Sequence, residues 1–75
     1  MGDLTPYKIL ESMLLKGLAA PDPVTRCLEL GVNETDLPLL AQMANDAELL
    51  QAPGLLKWLP GLARDLIAEL GADET

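Results

Sequence analysis

Residues 55–70 read Leu-Leu-Lys-Trp-Leu-Pro-Gly-Leu-Ala-Arg-Asp-Leu-Ile-Ala-Glu-Leu, and the spacing within them decides the fold class. Leu55, Leu59, Leu62, Leu66 and Leu70 recur at helical intervals on one stripe flanked by Leu56, Ala63 and Ile67, whereas Lys57, Arg64, Asp65 and Glu69 face away. Pro60 removes a donor inside this pattern. The expectation is a short helix before it and a longer one after, or one kinked helix.

Working back toward the start, the same punctuation recurs. Pro53-Gly54 closes a segment whose buried stripe is read as Leu37, Leu40, Met43, Ala47 and Leu50, with a start near Thr35 or Asp36 because Pro38 fits only a first turn. Asn45 and Glu48 have the spacing of a cap and its reciprocal partner, so this helix either breaks there or runs through. Asp22-Pro23 opens a helix of about two turns. Val24, Cys27 and Leu28 share its face, and Gly31 stands where a left-handed ending is wanted. Thr5-Pro6 opens the first helix, with Tyr7, Leu10, Leu14 and Leu18 on one face, Ile9 and Met13 beside them, and Gly17 with Ala19 to Pro21 ending it. Beta-branched residues are too few for strands. The expected fold is all-α: one domain over residues 1–75, a compact bundle of four to five short helices.

Two echoes suggest helix-pair units over residues 3–35 and 36–75. Residues 28–35, LELGVNET, resemble residues 68–75, AELGADET, and PGLLKWL at 53–59 precedes the similar PGLARDL at 60–66. Asp22-Pro23-Val24-Thr25-Arg26 and Asp36-Leu37-Pro38-Leu39-Leu40 also resemble pieces of HEAT-type helical repeats, although valine and arginine fall one residue short of that pattern.

Composition excludes more chemistry than it proposes. There are 18 leucines, no histidine, one serine and one cysteine, so Ser12 and Cys27 have no imidazole to activate them and the chain is not expected to be an enzyme. Cys27 reads as a small buried apolar residue. No window of carboxylates, Asp46, Glu48, Asp73 and Glu74 included, alternates as an oxygen-ligand loop does, so neither metal nor cofactor is expected. Twelve acidic against five basic residues, net −7, repel a phosphate backbone and an anionic bilayer alike. A recognition helix over Thr35–Gln42 carries no Arg or Lys. Nucleic acid and membrane are therefore not expected partners, and without a basic leader or a long apolar run the expected location is cytoplasmic.

Glu29-Leu30-Gly31-Val32-Asn33 resembles the approach to the second helix of acyl and peptidyl carrier proteins. That resemblance implies a carrier-like accessory subunit as the alternative reading. Where such proteins place the serine that takes phosphopantetheine, however, this chain has Glu34.

The preferred reading is contact rather than reaction. Hydrophobic residues are 49% of the chain, more than short helices in so small a body are expected to bury, and Trp58 is either the largest plug of the core or an anchor at a partner surface. The candidate partner-binding face comprises Leu55, Leu56, Trp58, Leu59, Leu62 and Leu66, offered to another protein or to a second copy of the chain.

Overall fold

Proline and short polar caps divide the chain into the elements that the computed structural model shows, and the model describes residues 5–71. Helix α1 (Thr5–Leu18) has Pro6 in its first turn, where a missing amide costs no hydrogen bond. The residues that would cap it lie outside the described part. Leu10 and Leu14 are buried, Tyr7, Met13 and Leu18 flank them, and Lys8, Ser12 and Lys16 are exposed. Ile9, expected beside the stripe, points to solvent.

Helix α1 ends at Leu18, where Gly17 and the Ala19–Pro21 run were expected to end it, but Gly17 has a second role. It is a buried residue inside the helix, where a β-carbon would overlap Cys27 Sγ and come within 3.2 Å of the Pro23 carbonyl. The missing side chain is what lets α1 lie close to the next helix.

That helix, α2 (Pro23–Leu30), is capped by Asp22. Its two carboxylate oxygens accept from the Thr25 amide at 3.3 Å and the Thr25 hydroxyl at 2.8 Å. At its other end Gly31 takes φ +118, and the Val32 amide donates to the Cys27 carbonyl at 3.1 Å, which satisfies a terminal acceptor and delivers Val32 into the core. Asn33 then caps a single 3₁₀ turn, Glu34–Asp36, by accepting from the Thr35 amide while its own amide donates to Asp36.

Helix α3 (Leu37–Ala44) starts one to two residues later than expected, with Pro38 second, and buries Leu40, Met43 and Ala44. The chain does break after it. The cap is Asp46 rather than Asn45: Asp46 accepts from the Glu48 amide at 3.0 Å and opens α4 (Ala47–Leu50), while Asn45 donates its side-chain amide back to the Ala41 carbonyl. Restarting the helix rotates the following residues, so Leu49 is buried and Ala47 and Leu50, both expected inside, are exposed.

After Pro53, Gly54 at φ +67 begins a 3₁₀ turn, Gly54–Trp58, which leads directly into α5 (Leu59–Gly71). The expected short helix before Pro60 is this 3₁₀ turn. Pro60 is the second residue of α5, where its lost donor has no intrahelical acceptor to disappoint. The two similar heptads therefore take different conformations, one opening on a left-handed glycine and the other lying inside α5. Of the other echo, Gly31 ends its helix left-handed, Gly71 is the last residue of α5, and residues 72–75 lie outside the described part.

The protein is an all-α bundle of five helices with no strand among the described residues. Helix α1 packs on α2 and α3 on α5, but both pairs share one cluster that includes Leu14, Cys27, Leu40, Met43, Leu59 and Leu66. The radius of gyration is 11.7 Å. A compact chain of this length is expected near about 11 Å. The outline is nevertheless a disc, 34 × 33 × 19 Å, which leaves more surface than a sphere would.

A side-chain hydrogen bond links elements far apart in the chain. The Tyr7 hydroxyl donates to Asp46 at 3.0 Å, tying α1 to the cap of α4. Burial, the hydrogen bond to Asp46 and the carboxylates of Asp46, Glu11 and Glu48 push the Tyr7 phenol up to about 12 from 10.0. Because the folded state keeps this proton longer than the unfolded chain does, its stabilisation is complete below pH 10 and is lost as pH rises toward 12. Tyr7→Phe is expected to cost about 1 kcal/mol in urea unfolding at neutral pH. It should also make the decline in stability across that alkaline window shallower than in the wild type.

Candidate interaction surface

The turn between α4 and α5 decides which large apolar side chains stay outside. The Gly54–Trp58 turn winds with three residues per turn, so its side chains are not in phase with the stripe of α5. Leu59, Leu62 and Leu66 point inward at 0%, 4% and 0% exposure, whereas Leu55 and Trp58 remain 51% and 57% exposed. Leu56 is half-buried against the core.

The six residues read from sequence as one partner-binding face are thus not one face. Leu59, Leu62 and Leu66 belong to the chain's own core, because α3 packs across that side of α5. Leu55 and Trp58 are available, with Leu56 at their edge. Trp58 is not a core plug. Lys57 Nζ stands 5.5 Å from the centre of its ring, an arrangement that favours a cation over the indole face.

Trp58 also walls an open cleft of about 260 Å³ with Leu18, Pro23, Val24, Gly61, Leu62 and Asp65. Leu18, Pro23 and Val24 were not among the residues singled out for this role. The only signal for them in the sequence is that the Asp22-Pro23 cap begins α2 immediately after α1, which brings the end of one helix and the start of the next beside the Trp58 turn.

Cys27 is fully buried, its Sγ lies 4.0 Å from the Met13 carbonyl, and burial pushes its thiol up, which disfavours the thiolate that reacts. Ser12 is exposed on α1. Among the described residues no group of three or more His, Cys, Asp and Glu side chains is placed to hold a metal ion. No described helix is long and apolar enough to cross a membrane. At the position where a carrier protein has its serine, Glu34 is an exposed carboxylate in the 3₁₀ turn.

Fold and surface together define a small all-α bundle that keeps its one tryptophan outside, against an apolar cleft. Comparison with protein-family models, with curated proteins and with solved structures returned no match.

Proposed function

We propose that this protein is a cytoplasmic, non-enzymatic interaction module, an adaptor, inhibitor or assembly chaperone in type, which works by presenting the Trp58 cleft to another protein. The observation that carries the reading is the exposure of Trp58: the largest side chain in an aliphatic chain is left at 57% exposure beside a cleft, while Leu59, the next residue, is fully buried. Tryptophan offers wide contact area at low entropic cost and an indole N–H for orientation, which is why it is enriched among residues that dominate binding. The net charge of −7 keeps such a module soluble and steers it toward basic partners.

The test compares capture of partners by the wild type, by Trp58→Asp and by Ser12→Asp, the last a control at an exposed position on α1. Loss of a central tryptophan typically costs 2 kcal/mol or more, roughly 30-fold in affinity. A partner held by wild type and by the Ser12 variant should therefore be lost by the Trp58 variant.

A further inference from the structure

The Trp58 cleft does not end at Asp65. A second cleft, of about 380 Å³, shares Val24 and Asp65 with it and continues between α2 and α5 past Leu28, Ala68 and Glu69. A third shares Leu28 and Glu69 with the second and ends at Asn33, Glu34 and Leu70. The three are one groove between α2 and α5. From Trp58 to Leu70 it follows twelve residues, which at 1.5 Å per residue is about 18 Å, or three helical turns.

Apolar side chains recur along the groove although its middle part is mainly polar, and its charged lining is of one sign, with Lys57 standing over the Trp58 ring at one end. Val24, Leu28, Leu62 and Leu70 line it, and every ionisable residue lining it is acidic: Asp22, Glu34, Asp65 and Glu69. The ion pair found among the described residues, Arg26 with Glu29, involves none of these four. At Gly61, which lines the Trp58 end, a β-carbon would meet no atom within 4 Å, so there is open space beside this residue.

We infer that the groove receives a basic amphipathic helix of about three turns, its apolar stripe on Val24, Leu28, Leu62 and Trp58 and its Lys or Arg side chains toward Asp22, Asp65, Glu69 and Glu34. The inference rests on the docking function proposed above and names the partner's chemistry. A second copy of this chain would bring its own net −7 toward four carboxylates, and a phosphate-rich surface would be repelled in the same way. An extended strand finds no sheet edge to pair with among the described residues, whereas a trough between two helices matches helix-in-groove recognition.

The test uses a synthetic peptide of about 14 residues with leucine at helical spacing and lysine between, and a twin in which glutamate replaces each lysine. Trp58, the one tryptophan of the chain, reports binding through its fluorescence. Wild type should bind the lysine peptide at least about tenfold more tightly than its twin, and less tightly as salt rises. The pair Asp65→Lys with Glu69→Lys should reverse that preference. Gly61→Leu should fill the groove and weaken binding by about tenfold without lowering the melting temperature, since leucine favours a helix more than glycine does.

Equal affinity for both peptides, unchanged by the double charge reversal, overturns the basic-helix assignment and leaves the docking function standing. So does a Trp58 signal silent toward both peptides when capture still recovers a Trp58-dependent partner. Silence toward both, together with capture that ignores Trp58, overturns the assignment and the docking function alike.

Discussion

Leu66→Ala is expected to unfold much of the population at physiological temperature, whereas Trp58→Ala, which deletes a larger side chain, is expected to leave the bundle folded. Leu66 is 0% exposed on the face of α5 that packs against α3, within the cluster that includes Leu40 and Met43. Truncating such a leucine removes its transfer energy and leaves a cavity that a packed core only partly closes, at a cost of about 3–5 kcal/mol. A domain of this size holds roughly 4–11 kcal/mol in total, so the loss is a large share of all it has. Trp58 lies on the surface of the 3₁₀ turn, and surface truncations typically cost about 0.5 kcal/mol. Thermal unfolding followed by circular dichroism separates the two. A Trp58 variant destabilised as strongly as the Leu66 variant would place the tryptophan in the core and remove the observation on which the functional reading stands.

Gly17→Ala carries the second large effect, and its sign runs against helix propensity. In an open helix the substitution gains about 1 kcal/mol. Here the added carbon overlaps Cys27 Sγ and approaches the Pro23 carbonyl at 3.2 Å. The sulfur belongs to a fully buried side chain and the oxygen to the first residue of α2, so neither yields without moving the helix. Overpacking of this kind typically costs about 1–3 kcal/mol, and we expect about 2 kcal/mol net in urea unfolding. Cys27→Ala removes the sulfur. The double variant should accordingly be more stable than the sum of the two single changes by about 1 kcal/mol, the sign of coupling between touching residues. Strict additivity, or stabilisation by Gly17→Ala alone, would contradict the close approach of α1 and α2.

Local rules account for what the sequence made legible. Asp22-Pro23, Gly31, Pro38 and Pro60 each act through a single backbone group, so their roles at helix ends can be read without knowing the neighbours. The buried leucines of α1 and α5 follow because a 3.6-residue period survives over those lengths. What failed was phase. The cap at Asp46 instead of Asn45 and the 3₁₀ winding of Gly54–Trp58 each rotate the chain by a fraction of a turn, which exchanges Leu50 for Leu49 and separates Leu55 and Trp58 from Leu59, Leu62 and Leu66. Gly17 was placed correctly near the end of α1, but its contact with α2 was not legible, because a glycine needed by a facing helix has the same local signature as one that ends its own. The groove was legible only at its Trp58 end, because the rest of it is made where α2 meets α5, forty residues apart in the chain, and contacts at that separation leave no periodic trace.

The measurement that bears most directly on the account is the capture comparison at Trp58. With wild type, Trp58→Asp and Ser12→Asp matched for folding by circular dichroism, the account predicts a protein retained by the first and third and released by the second. The same proteins retained by all three, or none retained by a wild type whose mass stays monomeric at high concentration, would contradict it.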